Sequence, residues 1–161
     1  MLFCIVLVSV SFTSAAEMQK PDIGVLGIYL GMPHDEFLQL CSNKGLRLTS
    51  IHTPEGWQVY GGGGIDIEGE DSWISVSIRG GHVFRIYSLY RSLKNNDTAE
   101  DCVSYFKTLV SLIMGKLGEP VYNDQAYIIS SVLANWETNE YSVTVFNLRS
   151  ESVTVEYRLK L

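Results

Sequence analysis

Carboxylates alternate along one short stretch of the sequence. Asp66, Glu68 and Glu70 stand two residues apart in IDIEGED. On a single β-strand they would point to the same face, because side chains alternate along a strand. Such a cluster suits Ca²⁺, which prefers oxygen ligands, or a basic partner, but it lacks the Asp-x-Asp-x-Asp-Gly spacing of an EF-hand. The pattern is most typical of a solvated strand face, and cation or partner binding stays the alternative.

Tryptophan and tyrosine provide a second set of candidate residues. Trp57 and Trp73 lie in strand-like segments, and by parity Trp73 falls on the face opposite Ile74, Val76 and Ile78. Exposed Trp and Tyr side chains on a sheet are suited to contacts with proteins or glycans. We therefore predict Trp57 and Trp73 as binding residues, with burial under a neighbouring element as the alternative.

No group of residues has the spacing of a catalytic or metal centre. His34, His52 and His82 form no i, i+4 pair and have no cysteines at zinc spacing. Gly61 to Gly64 are followed by a strand rather than a helix, so we expect a flexible hairpin loop and not a phosphate-binding loop. We expect no cofactor, no metal and no catalytic residue; a hydrolase that uses Cys102 or a histidine is the alternative.

Residues 1–16 have the features of a cleavable export signal. The run LFCIVLVSVSF carries no charge, and small residues lead from it to Ala16, just before Glu17. This apolar run is shorter than the about 20 residues that a membrane-spanning helix needs. We predict a signal peptide over 1–16 and a secreted or periplasmic single domain over 17–161, with no stable membrane insertion after cleavage.

Charge and cysteine content limit the partners and the covalent structure. All 18 acidic and 12 basic residues lie after residue 16, which gives a net charge of −6 and disfavours nucleic acid as a partner. Two cysteines, Cys41 and Cys102, follow the signal. A bridge between them would close a loop of about 60 residues and stabilise the fold by roughly 4 kcal/mol. Both also fall on apolar helix faces, so a disulfide and two buried free thiols stay open.

Hydrophobic periodicity predicts two helices among strands. The first runs from Pro33 to about Asn43 and stops at Gly45; the second starts near Asp97 and stops at Gly118. One strand precedes the first helix, and three strands follow each helix. We therefore predict an α+β fold, two helices packed on an antiparallel sheet in the order β-αβββ-αβββ, an order that internal duplication would produce.

The hairpin around Gly80 and Gly81 has two alternative registers. A two-residue loop would set Val76 opposite Arg85, whereas a three-residue loop keeps apolar residues of both strands on one face. We predict the three-residue loop, with the following residues sharing that face: Ile74, Val76, Ile78, Phe84 and Ile86.

Part of this sequence resembles known exported bacterial domains. Leu30-Gly31-Met32, followed by Glu36-Phe37 and Leu40, is similar to the opening of the β-lactamase inhibitory protein fold and of the assembly lipoprotein small protein A. A longer series of landmarks resembles small exported α+β domains of unknown function: Gly27-Ile28, Lys44-Gly45, Gly61 to Gly64 and Gly118-Glu119-Pro120. The resemblance implies helix-plus-meander halves and brings no known activity.

These observations favour a binding role over an enzymatic one. The expected function is that of an exported, inhibitor-like or accessory domain that contacts another envelope or secreted protein through a sheet face. A ligand-binding module for glycan or Ca²⁺ and an unrecognised hydrolase are the alternatives.

Overall fold

The computed structural model describes residues 23–67, 70–91, 99–123, 132–148 and 152–160. The predicted signal peptide, residues 1–16, lies outside the described residues. Within the described ranges, no helix combines the length and the apolar character that crossing a membrane requires.

Strands make up most of the described chain. A short hairpin comes first, and each of the two helices is then followed by four strands, not by the predicted three. The elements are β1 (Gly24–Val25), β2 (Ile28–Tyr29), α1 (His34–Lys44), β3 (Thr49–His52), β4 (Gln58–Ile67), β5 (Glu70–Arg79), β6 (His82–Arg91), α2 (Ala99–Leu117), β7 (Tyr122–Asn123), β8 (Val132–Glu137), β9 (Tyr141–Leu148) and β10 (Ser152–Leu159). The predicted α+β class with an antiparallel sheet is confirmed.

One antiparallel sheet contains all the strands from β3 to β10. Its order is β3-β4-β5-β6-β10-β9-β8-β7, so the four strands after each helix form a meander. The last strands of the two meanders meet in the middle, where β6 pairs with β10 from Arg85–Arg158 to Arg91–Ser152. We call this pairing the β6–β10 seam. The sheet order is symmetric about it.

A single apolar cluster contains the buried side chains of both helices and of the central strands. Phe37 and Cys41 of α1 belong to it, as do four residues of α2: Phe106, Leu109, Val110 and Ile113. Alternate residues of the strands complete it, among them Ile74, Val76, Ile86, Val145, Val153, Val155 and Tyr157. Val153, Val155 and Tyr157 of the last strand therefore point into the core.

Both helices end at the glycines that the sequence indicated. Gly45 has a φ of 65°, and its N–H donates to the carbonyl of Ser42. Gly118 follows α2 with a φ of 79°, a conformation that costs little without a Cβ. Its carbonyl accepts a 2.8 Å hydrogen bond from the indole nitrogen of Trp136, which connects the end of α2 to β8.

Two expected segments have a different structure. The opening segment is a hairpin and not one strand, because Leu26 and Gly27 adopt φ values of 57° and 83° and reverse the chain between β1 and β2. Gly61 to Gly64 lie within β4 and not in a loop. Gly61 and Gly62 keep their pairing with β5, and a bulge follows before Ile65.

The loop of the β5–β6 hairpin also differs from the prediction. Gly80 and Gly81 form a two-residue loop, since Arg79 pairs with His82. A bulge between Ser77 and Ile78 then shifts the register, so that Val76 lies opposite Ile86 as the apolar pattern requires. Phe84 is the extra residue of the bulge, and it contacts Trp57 instead of joining the core cluster.

Substitution of the loop glycines tests this hairpin. Gly80 and Gly81 have φ values of 57° and 77°, so Gly80→Ala and Gly81→Ala should each lower the free energy of unfolding by about 1–2 kcal/mol. Gly115→Ala is the matched control, because a Cβ there meets nothing within 4 Å and the residue lies inside α2. Gly115→Ala should raise the free energy of unfolding, measured by urea denaturation, by about 0.5–1 kcal/mol. Equal effects at Gly80 and Gly115 would contradict the assigned turn.

Candidate binding face

The main candidate site is the face of the sheet away from the core, formed by the strand residues that alternate with the buried ones. We call it the outer face. Neighbouring strands align its residues in three rows across β5, β6, β10 and β9. The rows are Trp73, Leu89, Thr154, Phe146; then Ser75, Tyr87, Glu156, Thr144; then Ser77, Arg85, Arg158, Ser142. The outer face thus combines aromatic, charged and small polar side chains.

Three aromatic side chains form a continuous line across the outer face. The ring centroids of Trp73 and Tyr87 are 6.2 Å apart, and those of Tyr87 and Phe146 are 6.0 Å apart. We call these three residues the aromatic row. It runs diagonally across the strands, because Trp73 and Phe146 lie in the first of the three rows above and Tyr87 lies in the second. Trp73 is 38% exposed, whereas Thr154, which lies between Leu89 and Phe146 in the register, is fully buried. Tyr87 lies on β6 and Phe146 lies on β9, so the aromatic row crosses the β6–β10 seam. The exposed part of Trp73 offers an aromatic surface to solvent.

Two glycines of β4 provide the space that the indole of Trp73 occupies. A Cβ on Gly61 would lie 3.1 Å from Trp73 Cζ2, and a Cβ on Gly63 would lie 3.3 Å from Trp73 Cδ1. Gly62 faces the other way, where a Cβ would approach the carbonyl oxygen of Arg47 to 2.8 Å. Gly64 adopts a φ of 69° in the bulge. The glycine run therefore serves the packing of Trp73 and of the chain before β3.

Charged side chains border the aromatic row on the side of the β5–β6 turn. Arg85 Nε lies 2.7 Å from Glu156 Oε1, and the Arg85 guanidinium stacks 5.8 Å from the centroid of Tyr87. Arg79 and Arg158 are exposed and have no acidic partner among the described residues. This border is therefore locally basic, although the chain as a whole has a net charge of −6.

The two predicted binding tryptophans do not lie together. Trp57 precedes β4, packs edge-on against Phe84 at 4.9 Å and lies 5.8 Å below the guanidinium of Arg79. Arg79 is six residues from Trp73 along β5, which corresponds to about 20 Å of strand. Trp57 is half-buried, so Trp73 offers the larger aromatic surface.

The acidic segment is divided between two strands. Asp66 lies in β4 and pairs with Asp71 of β5, and Ile67 pairs with Glu70. Glu68 lies outside the described residues. The carboxylates therefore do not follow one another along one strand face, because the chain reverses between Ile67 and Glu70. Among the described residues, no group of three or more His, Cys, Asp or Glu side chains is placed to hold a metal ion.

A partly buried polar contact joins α1 to β4. His34 Nε2 lies 2.7 Å from the hydroxyl oxygen of Tyr60, and the ring of Phe37 packs edge-on against Tyr60 at 5.1 Å. Cys41 is buried on the same helix, and burial raises the pKa of its thiol and that of the Tyr60 hydroxyl. A nucleophilic cysteine requires a lowered pKa. The arrangement stabilises the position of α1 and does not activate Cys41.

The candidate disulfide between Cys41 and Cys102 is not formed at Cys41. Cys41 is a free, buried thiol. The side chain of Cys102 lies outside the described residues. Of the two alternatives that the sequence left open, the free thiol is present at Cys41.

The other two histidines do not join this contact. His52 ends β3 and is exposed, and His82 Nδ1 lies 3.0 Å from the carbonyl of Gly80 in the β5–β6 turn. His82 thus supports the turn, and His34 supports the helix.

Known proteins provide no further assignment. No family model matches the chain, and neither a curated protein nor a solved structure is significantly similar to it.

Several residues of the candidate site were not apparent from the sequence. Tyr87 joins Trp73 through the β5–β6 hairpin, but Phe146 joins them only because β6 pairs with β10, and that pairing connects segments far apart in the chain. Arg158 comes to lie beside Arg85 for the same reason. The spacing Trp73-Ser75-Ser77, with small residues beside the tryptophan, was the one local signal of an open face.

The contact between Trp73 and the glycines predicts the effect of a methyl group. Gly61→Ala should displace the indole, because the new Cβ would lie 3.1 Å from it. The fluorescence of Trp73 is obtained by subtracting the signal of Trp73→Phe in the same background. Acrylamide should quench this fluorescence more strongly in Gly61→Ala. Ser75→Ala is the control, since it adds no atom beside the ring. Unchanged quenching in Gly61→Ala would contradict the packing.

The buried thiol predicts a loss of stability at alkaline pH. The folded chain holds its proton to higher pH than the unfolded chain, so the free energy of unfolding should fall as pH rises above about 8.5. Cys41→Ala should start less stable, because it leaves a small cavity, but should lose less stability between pH 7.5 and 10. Parallel pH profiles for the two proteins would show that Cys41 ionises equally in both states.

Proposed function

We propose that this chain is an exported, non-enzymatic binding domain that contacts another secreted or envelope protein through the outer face. The observation that carries the proposal is the aromatic row, in which Trp73, Tyr87 and Phe146 contact one another and Trp73 stays 38% exposed. Tryptophan, tyrosine and arginine are the residues that most often dominate binding energy in protein interfaces. Export itself rests on the pattern of residues 1–16.

The outer face is organised before a partner binds. Trp73 lies in β5, which is paired on both sides, by β4 and by β6. Gly61 and Gly63 hold its indole against β4. Little side-chain entropy is then lost on association, which favours a stable complex.

The charges around the aromatic row indicate the chemistry of the partner. Arg79 and Arg158 are exposed, and the Glu156 carboxylate is already occupied by Arg85. We therefore propose a partner that presents apolar side chains to the row and carboxylates to Arg79 and Arg158. Such complementarity accelerates association and selects among partners.

The symmetric sheet supports an inhibitor-like or accessory role. Each half consists of a helix followed by a four-stranded meander, and the halves meet at the β6–β10 seam. We propose that they arose by duplication and that the resemblance to the β-lactamase inhibitory protein fold, also built from tandem helix-plus-sheet halves, extends to the use of the sheet face.

A glycan would be the second ligand class for the same surface. The indole of Trp73 lies beside Gly61 and Gly63 of β4 and is 38% exposed, and a sugar ring can stack on an exposed indole. A glycan would depend on Trp73 but not on the charges of Arg79 and Arg158. That difference separates the two ligands.

Affinity capture with matched baits tests the proposal. The mature chain, residues 17–161, is immobilised and exposed to envelope extract, and bound proteins are quantified by mass spectrometry. Trp73→Ser should lower the recovery of the partner by at least about tenfold, as expected when an interface hot spot is removed. Arg158→Glu should lower it as well.

Leu38→Ser is the control bait. Leu38 is 41% exposed, close to the exposure of Trp73, but it lies on α1. Circular dichroism should show that all the baits are folded. The proposal fails if the Trp73→Ser and Leu38→Ser baits retain the same proteins equally, or if the unsubstituted bait retains none at micromolar concentration.

A further inference from the structure

The strand β3 forms one edge of the sheet. It pairs with β4 on one side, and within the described residues no strand pairs with its other side. All four residues of Thr49–His52 are exposed. The strand at the opposite edge, β7, has only two residues. β3 is therefore the edge best suited to receive a further strand, because an unpaired edge presents its backbone N–H and carbonyl groups to other chains.

The outward backbone groups of β3 are those of Ser50 and His52. The Thr53 N–H donates a 2.8 Å hydrogen bond to the carbonyl of Trp57, so the backbone groups of Thr53 point toward β4. Hydrogen-bonded and non-hydrogen-bonded residues alternate along an antiparallel ladder, so the backbone groups of Ile51 point toward β4 as well. Those of Ser50 and His52 point the other way, to the free side of the strand.

Natural edge strands commonly carry a feature that prevents pairing with another chain. Lysine, proline and bulges are among these features. β3 has none of them, because its sequence is Thr-Ser-Ile-His and its register against β4 is regular. It instead exposes 61% of Ile51, which lies on the outer face in the same row as Val59 and Ser77. An exposed apolar residue on an unprotected edge favours pairing with another strand.

The two ends of β3 carry opposite charges. Arg47 is exposed before the strand, and Glu55 is exposed after it, in the turn that leads to β4. In the part of the chain that the structure describes, neither has an ion-pair partner. When two identical strands pair antiparallel, the start of each lies beside the end of the other. The charge pattern of this edge is therefore complementary to that of a second copy.

One register satisfies the apolar residue, the backbone groups and the charges together. It sets Ile51 opposite Ile51 of the second copy, which places Ser50 opposite His52 and Arg47 opposite Glu55. Ser50 and His52 then exchange backbone hydrogen bonds on both sides of the two-fold axis. The two Ile51 residues form a non-hydrogen-bonded pair, the kind in which side chains lie closest.

We propose that this chain forms a two-fold symmetric dimer through antiparallel pairing of β3 with β3 of a second copy, in the register that sets Ile51 opposite Ile51. The sheets of the two copies join edge to edge, with both outer faces on the same side. The pairing uses no residue of the aromatic row, so it is independent of the outer-face contact. A strand pair this short buries a small area, so we expect a weak dimer that depends on protein concentration.

Sedimentation equilibrium of charge variants at low ionic strength tests how the ends pair. Arg47→Glu and Glu55→Arg should each weaken the dimer by about tenfold, because each brings like charges together at both ends of the strand pair. An equimolar mixture of the two variants should recover the affinity, since every Glu faces an Arg in the mixed dimer. Glu119→Arg is the control, because it changes the net charge as Glu55→Arg does but lies exposed after α2.

Disulfide trapping tests the register. In the mature protein with Cys102→Ser, Ile51→Cys should give a covalent dimer on oxidation with copper phenanthroline, because facing residues of a non-hydrogen-bonded pair have Cα atoms about 4.5 Å apart. Thr49→Cys is the matched control, since it lies opposite Thr53 of the second copy and not opposite its own copy. A monomer at all concentrations up to about 1 mM, no recovery of affinity in the mixture, or equal trapping of Ile51→Cys and Thr49→Cys would each overturn the proposal.

Discussion

Antiparallel pairing of β6 with β10 is the contact on which the rest of the structure depends. It joins two four-stranded meanders into one sheet, and it does so over seven residue pairs, from Arg85–Arg158 to Arg91–Ser152. Because side chains alternate along each strand, this single register decides which residues of both halves face the core. A shift by one residue would bury Glu156 and expose Val155. Burial of the apolar cluster under the helices therefore favours this register over its neighbours.

The same register creates the outer face. Trp73 and Tyr87 belong to the first meander and Phe146 to the second, and they meet only across the seam. The local basic border has the same origin, since Arg85 and Arg158 are paired residues of β6 and β10.

Local sequence signals predicted the elements but not their assembly. The helix stops at Gly45 and Gly118 follow from the freedom of glycine at positive φ, and the exposure of Trp73 follows from the alternation of β5. The Gly80–Gly81 loop was predicted with the wrong length because a bulge at Phe84 restores the apolar register, and bulges leave no clear pattern in one sequence. The glycine run looked like a loop, because its role depends on contacts with Trp73 and with Arg47. The seam pairs residues more than sixty positions apart, which no local pattern encodes.

Ring-to-ring contacts across the seam test the account most directly. With selectively labelled Tyr and Phe, nuclear Overhauser spectra of the mature protein should show cross-peaks between the rings of Tyr87 and Phe146, whose centroids are 6.0 Å apart. Trp73→Phe should leave these cross-peaks in place, because Trp73 contacts Tyr87 from the other side. Cross-peaks from Phe146 to core residues such as Val155, together with none to Tyr87, would show that the seam has a different register and that the outer face does not exist as described.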